Sequence, residues 1–449
     1  MSGWNLRIGT AASALALTAI PLATLLTAGP AYAAATVRYV DSVNGNDAAN
    51  GLTEATAWKT LTKASAAALD PGSKLLLRRG SAWQGQQLAI AESGTPAAPI
   101  VVDSYGTSTA RPIVAGDTEA CVSLEGSHIE VYNLQVGRAQ DVGRCTWAGI
   151  KVTGDHNVIE RNYITGAAAG VYIEPEAAYT AVTANDFVDN NHMSKLTDDN
   201  DNDDSGAFAM LVQGDDSNIS WNEIRGSIAF SYDYGMDGAA VEIFLGSRNH
   251  VHHNIAVDND TFTELGTSKE TKPDGSPADP DGTSGNVFEY NVIDGPETRT
   301  ALITRGPQEP GEDPDPNGPV LGTVFRNNSV HLTNAESQGV VCDAGCTNAH
   351  LSMSQNIVQA VVKTAYGPNV TDSHHNVFFT DGQHQMGGSN NVEADPRFNL
   401  TNTANPLSLR AGSPAIDLGI AKFSDDDVTG RAIDGSDGAV DAGAYEYDK

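Results

Sequence analysis

A short phrase ending in asparagine recurs through the middle of the chain, and it restricts the possible folds more than any other feature. It reads as a polar residue, a β-branched residue, two variable residues, Asn, then an apolar residue. Copies are Asn157-Val-Ile-Glu-Arg-Asn162, Asn218-Ile-Ser-Trp-Asn222, His250-Val-His-His-Asn254, Asn286-Val-Phe-Glu-Tyr-Asn291 and Val324-Phe-Arg-Asn-Asn328. Weaker copies end at Asn133, Asn185, Asn356 and Asn376. Between them lies a second strand type: Gly149-Ile-Lys-Val-Thr-Gly154, Gly170-Val-Tyr-Ile-Glu174, Ala209-Met-Leu-Val-Gln213 and Ala240-Val-Glu-Ile-Phe244.

Each phrase alternates apolar and polar residues, the pattern of a half-buried strand. One such coil cannot bury its apolar face, whereas stacked coils can, at ~4.8 Å per rung. Asn at the bend tolerates the left-handed backbone and can stack on its equivalents above and below. An α-solenoid would need apolar faces of period 3.6, and Leu61 to Leu69 is the only good helical stretch. Propeller blades need four strands of regular length. The expected fold is therefore all-β, a single parallel β-helix of about ten coils. This also explains how a chain of 449 residues can exceed the ~250–300 residues at which one globular core stops growing.

Both ends support this reading. Arg38-Tyr-Val-Asp-Ser-Val-Asn-Gly-Asn-Asp47, Ala57-Trp-Lys-Thr-Leu-Thr-Lys-Ala64 and, near the C-terminus, Leu409-Arg-Ala-Gly-Ser-Pro-Ala-Ile-Asp417 and Asp441-Ala-Gly-Ala-Tyr-Glu446 resemble the terminal segments of secreted bacterial right-handed parallel β-helix proteins of the pectate-lyase-like superfamily. The resemblance implies a capping helix plugging the first coil, a cap and first rung over residues 34–80, and a C-terminal capping segment over 394–449. It is specific for fold and not for function, since one fold hosts many chemistries.

Residues 1–33 read as an export signal: Arg7, an apolar run from Ile8 to Leu26, then Ala31-Tyr32-Ala33 at the cleavage position. A secreted, extracellular protein working as a monomer is expected. With 57 Asp+Glu against 26 Lys+Arg, the field repels nucleic acid, anionic membranes and a bare polyuronate. A neutral or cation-bridged polysaccharide or oligosaccharide fits as the partner. The four cysteines pair most simply as Cys121 with Cys145 and Cys342 with Cys346, two disulfides suited to an oxidising compartment.

Insertions between residues 189 and 318 form a loop-rich face, where clustered acids concentrate. The run Asp198 to Asp204 could hold Ca²⁺, with Asp201, Asp203 and Asp204 as ligands, although Asp204 and Met210 break the spacing of an EF-hand. Alternation places Tyr172, Glu174, Gln213, Glu242 and Phe244 on the outer wall. Glu242 and Glu264 are 22 residues apart, close to one coil. Stacked carboxylates at that spacing approach the ~5–5.5 Å of retaining glycosidases, and like charge separates their pKa values into an acid and a nucleophile. Asp233 and Asp237 are expected to assist, Tyr232, Tyr234, Phe244 and Trp221 to stack on sugar rings, and Arg305, like Arg299, either to anchor a substrate carboxylate or to offset local acids. His252-His253 and His374-His375 read as structural.

Met236-Asp-Gly238 and Phe262-Thr-Glu-Leu-Gly266 resemble phrases of calcium-dependent pectate lyases of the ninth lyase family. There a lysine in the second phrase abstracts a proton beside a carboxylate. Thr263-Glu264 stands where that lysine would be, leaving Lys269, Lys272 or Arg248 as substitute bases. The sequence therefore points first to hydrolysis of a glycosidic bond, with a Ca²⁺-dependent lyase and a non-catalytic carbohydrate-binding protein as alternatives.

Overall fold

Buried asparagines hold the coils in register. In the computed structural model they form a ladder from Asn162 through Asn185, Asn222, Asn254, Asn291, Asn328 and Asn356 to Asn376 and Asn391. Each donates from its backbone N–H and its side-chain amide to the side-chain oxygen of the next. Each such bond contributes about 1 kcal/mol, and stranding a buried amide costs about 1–3 kcal/mol. One expectation is corrected here. The left-handed φ falls on the residue before the ladder Asn, at Arg161, Ala184, Trp221, His253 and Tyr290. The ladder Asn itself turns inward and is buried from Asn162 to Asn376.

The described residues are 35–447, apart from 117, 139–143, 199–201, 268–281, 309–316 and 434–438. Residues 34–449 form one unit, built of three parallel sheets of 12, 11 and 12 strands. There are thus more coils than the ten read from the phrases, because the outer ones lack the asparagine signature. The first sheet carries the phrase strands, such as Val158–Glu160 and His250–His252. A two-residue corner leads to the second sheet, such as Tyr163–Thr165 and Ile255–Val257. The third contains Ala169–Ile173, Phe208–Val212, Ala239–Phe244, Thr261–Gly266, Thr300–Arg305 and Gln338–Asp343 in spatial succession. It is called the wall below. Its inner face stacks Val171, Met210, Val241, Thr263, Leu302 and Val340, all 0% exposed.

The capping helix is shorter than its apolar pattern suggested. It spans Leu61–Ser65, with the Thr60 side chain accepting from the Lys63 N–H, and ends where the Ala66 N–H bonds back to Ala64 and Thr62. Leu61, Ala64 and Leu69 remain buried in the core. The C-terminal segment does not simply cap the last coil. It runs back along the flank, where the Gly443 N–H donates to the Gln355 carbonyl, the Ala444 N–H to Ser329 Oγ, and His253 Nε2 meets the Asp426 carbonyl. Phe398, Leu407, Leu409, Val428 and Tyr445 seal it onto Val292, Ile357 and Val377. Both disulfides join as expected, Cys121 with Cys145 and Cys342 with Cys346. No helix among the described residues is long and apolar enough to cross a membrane.

Two antiparallel hairpins project between the second sheet and the wall: Met193–Lys195 with Ser205–Gly206, and Ala229–Ser231 with Gly235–Asp237. They lie in the insertion-rich stretch and overhang the wall's middle strands.

Candidate functional site

On the outer face of the wall, register partners form a column of Tyr172, Leu211, Glu242, Glu264 and Ile303. Glu242 and Glu264 are thus direct partners on neighbouring rungs, ~4.8 Å apart along the stack. Their 22-residue spacing and strand alternation already implied this contact. They line a cleft of about 810 Å³, together with Asp237 and Tyr234 of the second hairpin, Asp260, Arg299 and Arg305.

The two glutamates live in different surroundings. Glu242 is 8% exposed, and no described residue donates a hydrogen bond to its carboxyl. Burial, reinforced by the negative charges of Glu264 and Asp237, pushes it well above the usual carboxylate range. Glu264 is held by Arg305, whose Nη2 donates to Oε1 at 2.6 Å while Nη1 donates to the Leu265 carbonyl at 3.0 Å. Asp237 is pushed up to about 7, chiefly by burial and further by Asp260 and Glu264, although the Gly238 N–H and Arg299 oppose the shift. A proton-holding acid, an ion-paired carboxylate and a third acid poised near neutrality thus converge on one cleft.

Local backbone chemistry positions these groups. Gly238 ends the hairpin at φ +140, and a Cβ there would come within 2.5 Å of the Ser227 carbonyl. Only glycine lets the chain turn from Asp237 into the wall strand at this place. Gly266 leaves the space that the Phe244 ring fills, since a Cβ would lie 2.3 Å from that ring.

Of the remaining expected residues, Gln213, Tyr234, Phe244, Asp204 and Arg305 line the cleft. Arg305 is not free to anchor a substrate carboxylate, because it is committed to Glu264. Tyr172 donates from its hydroxyl to Gln213 Oε1 at 2.6 Å and packs edge-on against Trp147. Glu174 pairs with Lys151 at 3.0 Å and accepts from Thr153 Oγ1. These two lie outside the cleft lining, as does Tyr232, whose ring meets Phe230 edge-on. Trp221 stacks on His253 at the asparagine corner.

Asp233 also lies outside the lining. Its Oδ2 accepts the Asp204 N–H at 2.9 Å, so it belongs with the first hairpin's acids rather than with Glu242. Asp203, Asp204 and Asp233 bring carboxylate oxygens within 4.8 Å of one another and could hold a metal ion. Protein groups already serve this cluster. Lys195 pairs with Asp203, and Asp204 accepts from the Thr197 and Tyr232 N–H groups and from Ser231 Oγ. Burial alone would raise Asp204, but these donors hold it below the usual carboxylate range. Asp201, Lys269 and Lys272 lie outside the described residues. Arg248 forks onto Asp215 and Asp216 and is not a spare base.

Asp260 and its partnership with Arg299 were missed from sequence. Arg299 Nε and Nη2 donate to the two Asp260 oxygens at 2.6 and 2.7 Å. Only the fold brings them together: Thr261 and Thr300 are register partners, so Asp260 and Arg299 occupy equivalent positions one coil apart.

No family model matches the chain. A curated relative, lacto-N-biosidase of Bifidobacterium longum subsp. longum, is 27% identical over 258 residues, which is 51% of this chain and 15% of the relative. The chain therefore spans about 15% of that protein's length. Among solved structures, a GH136 lacto-N-biosidase from Eubacterium ramulus superposes with a TM-score of 0.56 at 16% identity, covering 80% of this chain and 67% of that one. XylC in complex with xylose superposes with a TM-score of 0.51 at 8% identity, covering 92% and 99%. At these identities the structural likenesses establish the right-handed parallel β-helix fold.

Proposed function

We propose that this protein is a secreted glycoside hydrolase acting on a neutral oligosaccharide or polysaccharide, with Glu242 as general acid and Glu264 as nucleophile or base. The observation that carries the reading is the register pairing of Glu242 with Glu264 at the floor of the cleft. Glu242 is buried in a setting that keeps its proton, as protonating a leaving oxygen requires. Glu264 is the ion-paired carboxylate beside it. Their one-rung separation suits direct attack with a covalent glycosyl intermediate, and so net retention, better than the ~6.5–9.5 Å that leaves room for an inverting water. The sequence likeness to a lacto-N-biosidase, a glycoside hydrolase, supports the same reaction class.

A neutral substrate follows from charge. Both cleft arginines are ion-paired with acids of the cleft itself, so no described cation of the lining is left to meet a uronate. Tyr234 and Phe244 offer the ring faces. Calcium at Asp203, Asp204 and Asp233 would act on the first hairpin, not on the reacting bond.

The test is incubation of the secreted protein with neutral oligosaccharides, with products read by mass and NMR. Products that together exceed the substrate by one water per bond cleaved and first appear with the anomeric configuration of the substrate support the reading. Unsaturated products overturn it in favour of a lyase, and glycan binding without turnover overturns it in favour of a binding protein.

A further inference from the structure

The hairpin Ala229–Ser231/Gly235–Asp237 brings the third acid of the cleft, yet its two strands pair only with each other. Its tip is bonded to the first hairpin, through Asp204 to Ser231, Tyr232 and Asp233 and from the Tyr234 hydroxyl to the Asn202 carbonyl, while its returning strand is bonded from the wall side. Arg299 reaches it from two coils beyond the hairpin's own. Its Nη2 donates to the Met236 carbonyl at 2.6 Å, and its Nη1 points to the Tyr234 carbonyl at 3.4 Å. The remaining edge of the guanidinium is forked on Asp260. Asp260 is in turn fixed by the backbone: its N–H donates to the Ser227 carbonyl, and its carbonyl accepts the Arg299 N–H at 2.8 Å. Asp260 is only 3% exposed, so the pair is shielded from solvent on that side.

We propose that Arg299, seated on Asp260, is a positioning residue that clamps this hairpin and thereby presents the Asp237 carboxyl to the Glu242–Glu264 pair. The inference rests on the hydrolytic reading above. A planar fork suits the task. One face satisfies a buried carboxylate bidentately while the other end still has donors for two carbonyls, a geometry that a lysine ammonium cannot reproduce. The clamp also sets the electrostatics of the cleft. The groups facing Asp237 are Asp260, Glu264 and Arg299 from the wall coils, Glu242 beside it, and Tyr234 on its own hairpin. With the hairpin in place, Asp237 adds to the negative charge that keeps Glu242 protonated. With the hairpin released, Glu242 loses that neighbour and gains solvent, so its proton leaves at lower pH.

The experiment compares Arg299→Met, Arg299→Lys and Asp260→Asn in the full chain, each alone and combined with Asp237→Asn. Hydrogen exchange of amides 229–237 is followed beside steady-state kinetics. Arg299→Met is expected to open the hairpin to exchange, to lower kcat by about 100-fold for a misplaced group, and to move the basic limb of kcat/KM to lower pH. Lysine should not restore it. In the Asp237→Asn background the further loss from Arg299→Met should be small, because both act through one carboxyl. Asp260→Asn, which preserves shape, covers the case in which Arg299→Met fails to fold. Unchanged exchange in the hairpin overturns the clamp whatever becomes of the hydrolytic reading. An opened hairpin with kcat and pH limb unchanged, while Glu242→Gln and Glu264→Gln are inactive, overturns its part in the reaction alone.

Discussion

Two glutamates on outer faces of neighbouring coils show how one backbone pattern yields opposite chemistry. Glu289, on the first sheet, is 2% exposed, and both its oxygens are taken: His250 Nε2 lies 2.7 Å from one and Arg326 Nε donates to the other at 2.5 Å. Burial would push it up, but those partners hold it below its ordinary value. Glu242, on the wall, is nearly as buried, has acids for neighbours, and is pushed up. Depth of burial therefore does not decide which way a carboxyl's pKa moves. The partners do. Glu289 ties three coils together, whereas Glu242 sits among acids that raise its pKa, the setting that the proposed general acid requires.

The comparison breaks most visibly in turnover. Glu242→Gln and Glu264→Gln should each lower kcat/KM by about 10³-fold or more, since removing a member of a catalytic unit removes most of its effect. Glu289→Gln should leave kcat/KM near wild type. Equal losses at all three positions would erase the distinction. Next in size is stability: Glu289→Ala should cost about 3 kcal/mol in urea melts, the penalty for leaving a buried pair broken.

The two sites should also respond to pH with opposite sign. Glu242 and Asp237 bind protons more tightly folded than unfolded, so their contribution is present below about pH 4, the ordinary carboxylate range, and lost as pH rises, for Asp237 through about 7. Glu289 is lowered, so its contribution is present above its ordinary value of 4.5 and lost on acidification through its folded pKa. The Tm of Glu242→Gln should therefore gain on wild type between pH 5 and 8 (roughly the span above the ordinary carboxylate range). The deficit of Glu289→Gln should shrink as pH falls below its ordinary value of 4.5. Identical trends for both would show that partners do not set these acids apart. The smallest effect is expected from chelation. Removing divalent ions should change turnover by less than about twofold, because protein donors already occupy Asp204 (a metal-dependent site would lose activity outright).

The fold and the glutamate pair were legible because both depend on regular spacing. Alternation fixes which side chains face out, and a short coil of 22 residues, free of insertions, brings Glu242 beside Glu264. The hairpins were not legible, because their course depends on contacts far apart in sequence, such as Arg299 on the Met236 carbonyl. Asp233 and Asp237 looked equivalent four residues apart, yet the hairpin turns one toward Asp204 and the other into the cleft. Arg305 read equally as a substrate anchor or as an offset to local acids, because the coil that brings it to Glu264 carries a long insertion.

The most direct test of the central claim is turnover of a neutral oligosaccharide in ¹⁸O-labelled water by the wild type and by Glu264→Gln. The account predicts one labelled oxygen in each new reducing end from the wild type and almost no product from the variant. Unlabelled, unsaturated products, or a variant as active as the wild type, would contradict it.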